Sequence, residues 1–228
     1  MKRALIFGAR GMLGSTTVNL FTKAGFDVTG VTSRQSESKL ITITGDVDQV
    51  DSSIRNIPVF DAVVWAHGIN FNDRCDNVEI DDLRQILDVN VVYIASTLAA
   101  LLRANKIVNG ARLVVISSIW QEVARKGKFS YSISKAAVGG LVRGASADLA
   151  ERGILINAIL PGVLDGPMTR SNLLPDQLEN VVAATNFGRL ADAEDVAELA
   201  LFLCSDANRS ITGQSISVDL GFSNLKRI

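Results

Sequence analysis

Residues 4–14 of the chain have the sequence ALIFGARGMLG, and this short stretch decides the fold class. Ala4–Phe7 is apolar and too short for a helix, so it predicts a strand that is buried on both faces. The glycines that follow, and the helical pattern that begins near Met12, predict a strand that turns directly into a helix. Such a turn lets the backbone approach a pyrophosphate, and the N–H groups at the start of the helix attract it. The alternative is that the glycines only allow a tight turn and bind no nucleotide.

The same alternation of strand and helix continues to the end of the chain. The predicted strands are Ala4–Phe7, Val28–Thr32, Leu40–Thr44, Ala62–Ala66, Leu113–Ser117, Ile154–Leu160 and Ile216–Val218. The predicted helices lie near residues 12–24, 47–55, 79–105, 131–151 and 193–204. This order predicts a single domain over residues 1–228, an α/β doubly wound Rossmann-like fold with a parallel sheet of about seven strands. The long segment about 165–190 is predicted to be irregular and to act as an active-site lid.

Composition narrows the class of protein. The chain has 228 residues, 47% of them hydrophobic, and a net charge of −1, so no basic excess indicates a nucleic-acid or anionic-membrane partner. Cys75 and Cys204 stand in unrelated contexts and predict neither a metal site nor a disulfide framework. The apolar stretch after Met1-Lys2-Arg3 is too short for a signal peptide. These features predict a cytoplasmic protein without a bound metal.

The end of the second predicted strand indicates which dinucleotide the turn would bind. Sites specific for NAD place an acidic residue here for the ribose 2′-hydroxyl, whereas this chain has Thr32-Ser33-Arg34 and no acid before Glu37. Two hydroxyls and a guanidinium suit a 2′-phosphate, which arginine binds bidentately. The segment therefore predicts NADP(H) rather than NAD(H), with Arg10 as a second positive charge. A solvated surface turn is the alternative.

Three further residues indicate acid–base chemistry. Ser118 follows a predicted strand, Tyr131 comes thirteen residues later, and Lys135 four residues after that. On a helix, residues i and i+4 share a face, so Tyr131 and Lys135 can reach one spot. A cation beside a phenol favours the phenolate and lowers its pKa, and the phenol can then exchange a proton with a substrate oxygen. The alternative is an exposed Tyr–Lys pair without a chemical role.

With these residues in this order, the chain resembles the compact branch of the short-chain dehydrogenase/reductase family almost end to end. The resemblance implies reversible hydride transfer between a nicotinamide and a small-molecule carbonyl or secondary alcohol. Tyr131 would be the proton donor or acceptor, Lys135 would also bind the nicotinamide ribose, and Ser118 would hold the substrate oxygen. Asn90, in Leu87-Asp88-Val89-Asn90, is similar to the asparagine that holds a relay water.

The resemblance also implies the residues that bind the cofactor. They are Gly8, Arg10, Gly11, Met12, Leu13 and Gly14 in the glycine turn; Thr32, Ser33, Arg34, Asp46 and Val47 around the adenosine; Ala66, His67 and Gly68 after the fourth strand; Tyr131 and Lys135; and Pro161, Gly162 and Val163 at the nicotinamide.

Some positions depart from the family pattern. Met12 stands where the middle glycine is usual, and Gly166 stands where a threonine often holds the carboxamide. Trp65-Ala66-His67 replaces Asn-Asn-Ala. The changed glycine spacing is expected to alter the shape of the loop without abolishing pyrophosphate binding. His67, the only histidine, is interpreted as a packing residue beside the cofactor.

Two other functions remain open at this point. One is a nucleotide-binding regulator that has lost turnover, against which the Ser-Tyr-Lys-Asn set argues. The other is a non-redox lyase or epimerase, against which the short C-terminal region argues. Trp120, Phe129 and Phe187 are candidates for the substrate pocket or for core packing.

The helix that carries Tyr131 also predicts self-association. It is rich in small residues, which let another helix approach closely, and the family pairs subunits through this element. We expect a homodimer or a homotetramer. The small residues are Gly139, Gly140, Gly144, Ala145 and Ala147.

Overall fold

The structure, a computed structural model, describes residues 1–32, 41–43, 47–166, 169–170, 175–185 and 187–224. The strands are β1 (Arg3–Phe7), β2 (Asp27–Thr32), β3 (Ile41–Thr42), β4 (Phe60–Trp65), β5 (Ile107–Ile116), β6 (Leu155–Pro161) and β7 (Ser215–Val218). They form one parallel sheet in the order β3-β2-β1-β4-β5-β6-β7. The doubly wound fold is confirmed, and the strand order changes direction between β1 and β4, where such sheets bind ligands.

Helices cover both faces of this sheet. They are α1 (Met12–Lys23), α2 (Val47–Ile54), α3 (Ile80–Leu87), α4 (Tyr93–Arg103), α5 (Phe129–Asp148), α6 (Pro175–Ala184) and α7 (Ala193–Cys204). Alternate residues of each strand face opposite layers, so Leu5 and Phe7 pack in the core beneath α4 and α5. Ala4 and Ile6 pack in the core beneath α1 and α7. The short apolar runs of the sequence are strands with two buried faces.

The helix predicted at 79–105 is correct in extent but is not one regular helix. A π-helical turn, Asp88–Val92, separates α3 from α4 and buries Asn90 completely. A π-helical turn contains one more residue than an α-helical turn, so the side chains after it point in a different direction. Here this places the polar side chain of Asn90 in the interior. By length and composition the segment Ile80–Arg103 could also cross a membrane. Here Ile86, Ile94 and Leu101 are buried in the fold, and core helices pass the same test.

Several predicted boundaries differ from the structure. β5 begins at Ile107 rather than at residue 113, so it includes Gly110 at φ +77° and a register irregularity against β4. α5 begins at Phe129, two residues before the predicted start. The segment 165–190 is wrongly predicted as irregular throughout, since it contains α6. Proline at the first helical position and Asp176 in the first turn favour that helix. Of the predicted strand Leu40–Thr44, Leu40 and Thr44 lie outside the described residues.

Candidate active site

The glycine turn joins β1 to α1 with very little space. Gly8 has φ +76°, and a Cβ there would lie 2.8 Å from the backbone nitrogen of His67. A Cβ on Gly14 would lie 2.0 Å from the Gly8 carbonyl oxygen, whereas one on Gly11 would meet nothing closer than 3.4 Å. Gly8 and Gly14 are therefore required by the turn itself. Gly11 caps α1 without a side chain, so the first N–H groups of the helix have no cap from it.

A cavity of about 310 Å³ opens beside this turn, at the carboxyl ends of β1, β2 and β4. It brings together many of the residues predicted to bind the cofactor. Those that line it are Gly8, Arg10, Gly11, Thr32, His67 and Gly68.

The other predicted cofactor residues lie around this edge or cannot be placed. Leu13 and Ala66 are partly buried and pack against the core under α1. Val47 is the first residue of α2. Ser33, Arg34 and Asp46 lie outside the described residues. Pro161 ends β6, and a Cβ on Gly162 would lie 2.8 Å from the Cβ of Asp219, so a glycine is needed there.

His67 is held as a neutral packing residue. Its Nε2 lies 3.2 Å from the carbonyl oxygen of Val89, and its ring packs edge-on against Tyr93 at 5.0 Å between centroids. Burial and, after it, the charge of Lys135 lower the pKa of His67 to about 4, although the hydrogen bond with the Val89 carbonyl opposes both. The imidazole is uncharged near neutral pH. Its Nδ1 is buried and has no hydrogen-bond partner among the described residues.

Ser118, Tyr131 and Lys135 converge at the carboxyl end of β5. Ser118 follows β5 and starts a 3-10 turn, where its Oγ accepts a hydrogen bond from the Trp120 backbone N–H at 3.3 Å. The Ser118 hydroxyl lies close enough to the Tyr131 phenol to favour its ionised form. The Lys135 Nζ lies 5.5 Å from the centroid of the Tyr131 ring and 3.4 Å from the carbonyl oxygen of Ile116. The spacing of Tyr131 and Lys135 on one helix face produces the expected meeting point.

The expected lowering of the Tyr131 pKa is wrong for this arrangement. Burial raises the pKa of Tyr131, and the Ser118 hydroxyl beside it offsets this only in part. The Lys135 ammonium faces the ring, and burial lowers its own pKa to about 8. Both groups are thus protonated at neutral pH, which suits a phenol that donates a proton.

The side chain of Asn90 makes its hydrogen bonds within the protein, with Ile69 and Ser134. Its Oδ1 accepts a hydrogen bond from the Ile69 N–H at 2.9 Å, and its Nδ2 donates to the Ile69 carbonyl at 2.9 Å and to Ser134 Oγ at 3.0 Å. Both hydrogens of Nδ2 are therefore used within the protein. The side chain joins the loop after β4 to α5, so Asn90 positions the helix that carries Tyr131.

Two residues that hold the start of α5 were not identified as such from the sequence. Lys128 is buried, donates to Asn70 Oδ1 at 3.0 Å and to Asn72 Oδ1, and lies 5.7 Å from the Tyr131 ring centroid. Asp73 accepts hydrogen bonds from the backbone N–H of Ser130 at 3.0 Å and from its hydroxyl.

Asp73 therefore caps α5 from the loop after β4. The contact spans 57 residues of the chain, and no local pattern signals it. Asp76, by contrast, pairs with Arg74 at the surface.

A second cavity has a volume of about 340 Å³. Trp120 and Val163 line it together with Val181 of α6 and Phe222 near the C-terminus. The backbone N–H of Trp120 donates to Ser118 Oγ, which connects this cavity to the end of β5. Phe129 and Phe187 do not line this cavity, and Phe187 is 66% exposed.

Comparison with known proteins decides the family. Residues 14–223 match the family model described as enoyl-(acyl carrier protein) reductase. The chain belongs to the short-chain dehydrogenase/reductase family. This short-chain dehydrogenase/reductase is 30% identical over 246 residues to a 3-oxoacyl-[acyl-carrier-protein] reductase of Rickettsia felis, with 96% of each chain covered.

Two further relatives are similar over nearly their whole length. A glucose 1-dehydrogenase of Gluconobacter oxydans is 27% identical over 247 residues, covering 97% of this chain and 92% of that protein. The solved structure of a gluconate 5-dehydrogenase from Burkholderia cenocepacia, in complex with NADP and tartrate, has a TM-score of 0.88 and 25% identity. The match covers 99% of this chain and 96% of the gluconate 5-dehydrogenase chain.

Proposed function

We propose that this chain is an NADP(H)-dependent oxidoreductase that transfers hydride between a nicotinamide and a small carbonyl compound or secondary alcohol. The observation that carries the proposal is the meeting of Ser118, Tyr131 and Lys135. The Ser118 hydroxyl lies beside the Tyr131 phenol, and the Lys135 Nζ lies 5.5 Å from the centroid of the Tyr131 ring. A hydroxyl, a phenol and a buried cation at one point suit the handling of a single oxygen and its proton.

The fit of the glycine turn to a dinucleotide supports the choice of cofactor. Gly8 and Gly14 leave no room for a side chain, so the backbone of the turn can meet a pyrophosphate at the start of α1. Arg10 and Thr32 line the same cavity, and Ser33 with Arg34 would complete the contacts to a 2′-phosphate. A similar dehydrogenase structure was solved with NADP. When bound, the nicotinamide supplies or accepts the hydride.

Tyr131 would move the proton. In reduction its phenol donates a proton to the substrate oxygen, and in oxidation the phenolate accepts one from the alcohol. Ser118 would hold the same oxygen by a hydrogen bond, and the Lys135 ammonium would stabilise the phenolate that reduction leaves behind. Asn90 would keep α5 in place relative to the loop after β4.

Self-association and location complete the proposal. The exposed side of α5 carries Gly140, Gly144 and Ala147 in helical spacing, and a Cβ on either glycine would meet nothing within 4 Å. We infer that this stripe packs against a second copy of the chain. We also propose that the protein acts in the cytoplasm.

The test measures NADPH absorbance at 340 nm with purified protein and a panel of aldehydes and ketones. The proposal predicts consumption of NADPH that depends on substrate and is abolished in Tyr131→Phe. Cofactor binding without consumption across the panel would indicate a regulator. Conversion of a substrate without net change in the cofactor would indicate a lyase or an epimerase.

A further inference from the structure

The second cavity, which Trp120 links to Ser118, has walls that are mainly apolar. Trp120 and Phe222 meet edge to face at 6.2 Å between ring centroids. The turn that carries Phe222 is tied down by Asp219, which accepts hydrogen bonds from the N–H groups of Gly221 and Ser223 at 2.9 Å each. A volume of about 340 Å³ suits a small molecule. These walls favour an apolar or aromatic substrate body.

Arg125 is the one charged residue among the described residues that line this cavity. Its Cζ lies 5.8 Å from the centroid of the Trp120 ring, so the guanidinium is held over an aromatic face. Six other arginines form ion pairs with aspartates, whereas no carboxylate pairs with Arg125 in the part of the chain that the structure describes. Its exposed side chain borders the cavity and forms no ion pair with the described residues there.

The charge of Arg125 also reaches the reacting centre. Burial lowers the pKa of Lys128, the charge of Arg125 lowers it further, and Asp73 opposes both. Because Lys128 lies 5.7 Å from the Tyr131 ring centroid, Arg125 stands one side chain away from the catalytic tyrosine. The positive charges of Arg125 and Lys128 repel each other, so an anion bound near both would lower the electrostatic energy. The hydroxyl of Ser223, buried without a partner among the described residues, lies on the same cavity.

We propose that Arg125 binds an anionic group of the substrate, so that the enzyme acts on carbonyl compounds that join an oxyanion to an apolar or aromatic body. This inference rests on the proposed function. Arginine binds carboxylate and phosphate oxygens bidentately, so either group satisfies the chemistry. The carbonyl would meet Ser118 and Tyr131 while the oxyanion meets Arg125. Neutral carbonyl compounds of the same shape would bind more weakly because they leave the guanidinium unpaired.

The experiment compares 4-formylbenzoate, 4-formylphenyl phosphate and neutral methyl 4-formylbenzoate. Affinity for the NADPH-loaded enzyme is measured by quenching of tryptophan fluorescence, and reduction by loss of NADPH absorbance. Arg125→Gln is compared with Lys126→Gln, which removes the same charge from the adjacent exposed position. We expect one anion to bind at least about tenfold more tightly than the ester. Arg125→Gln should weaken that anion about 10- to 100-fold, and Lys126→Gln should not.

The outcomes separate this inference from the proposed function. The anion that binds more tightly identifies carboxylate or phosphate as the recognised group. Equal affinity for the anions and the ester, or equal effects of the two substitutions, would overturn the role of Arg125. The proposed function would stand in that case if NADPH were still consumed. Arg125-dependent binding of an anion with no NADPH consumed by any carbonyl compound would instead contradict the proposed function.

Discussion

The side chain of Met12 occupies the space into which a side chain at position 166 would project. A Cβ on Gly166 would lie 2.5 Å from Met12 Sδ and 2.9 Å from its Cε. Both positions depart from the family pattern, one in the glycine turn and one in the segment after β6. The contact shows that the two departures meet in the structure, so a side chain at position 166 would make the flexible end of Met12 move aside.

This contact predicts coupled substitutions. Gly166→Thr should lower the free energy of unfolding by about 1 kcal/mol or less, because the flexible and exposed end of Met12 can move aside. In the double variant with Met12→Gly the same threonine should be tolerated, giving a coupling energy of about 0.5–1 kcal/mol. Urea unfolding of the two single variants, the double variant and the wild type measures this directly. Strictly additive losses would mean that Met12 and Gly166 do not share this space.

The buried lysine predicts a dependence of stability on pH. Burial lowers the pKa of Lys135 from 10.5 to about 8. Below pH 8 the Lys135 side chain is charged in both the folded and the unfolded chain. Burial of this charge then lowers the free energy of unfolding by its full amount. Between about pH 8 and 10.5 the folded chain releases a proton that the unfolded chain keeps, so this cost shrinks as pH rises.

Lys135→Met should therefore be more stable than the wild type at pH 7, by roughly 2–4 kcal/mol. The difference should narrow towards pH 10. Chemical denaturation of both proteins at several pH values checks this. A difference that stays constant across the range would show that Lys135 keeps its ordinary pKa in the folded protein.

The sequence predicted the sheet, the glycine turn and the Ser118–Tyr131–Lys135 meeting point because each depends on local order. Short apolar runs form buried strands, and a spacing of four places Tyr131 and Lys135 on one helix face. The π-helical turn at Asn90 was not predictable, because apolar periodicity continues on both sides of it. Asp73 and Lys128 were missed because their partners lie more than fifty residues away in the chain.

The direction of the Tyr131 pKa shift also could not be predicted from the sequence. A cation four residues away suggested a lowered pKa, but the structure buries the phenol and places the ammonium over its ring. Burial then raises the pKa of Tyr131, and the Ser118 hydroxyl beside it opposes this only in part. Only a three-dimensional arrangement shows which of these opposing effects is larger.

Cofactor preference depends on a segment outside the described residues. From Thr32-Ser33-Arg34 and the absence of an acid before Glu37, we expect tighter binding of NADPH than of NADH. A charge-assisted contact contributes roughly 1.5–3 kcal/mol, so Arg34→Ala should weaken NADPH about 10- to 100-fold and NADH little. Titration of both cofactors by fluorescence measures the preference. Equal affinities of the wild type for the two would contradict it.

The exposed stripe on α5 predicts a dimer or a tetramer. Gly140 and Gly144 leave open space on the outer side of the helix, which allows a second helix to approach closely. Gly144→Glu should place a charge in that contact and dissociate the oligomer while the monomer stays folded. Light scattering gives the mass of each form, and circular dichroism checks the fold. A monomeric wild type at micromolar concentration would contradict the interface.

The central claim is that Tyr131 exchanges the proton with the substrate oxygen. Tyr131→Phe removes one oxygen, and the ring can still pack against Lys135 and Lys128. The most direct test is kcat of this variant beside its dissociation constant for NADPH, on a substrate from the carbonyl panel. The account predicts that kcat falls by about 10²–10⁴ while the affinity for NADPH stays within about twofold. A variant that keeps nearly full kcat would contradict the mechanism, because Tyr131 and Lys135 would then be a buried pair without a part in the reaction.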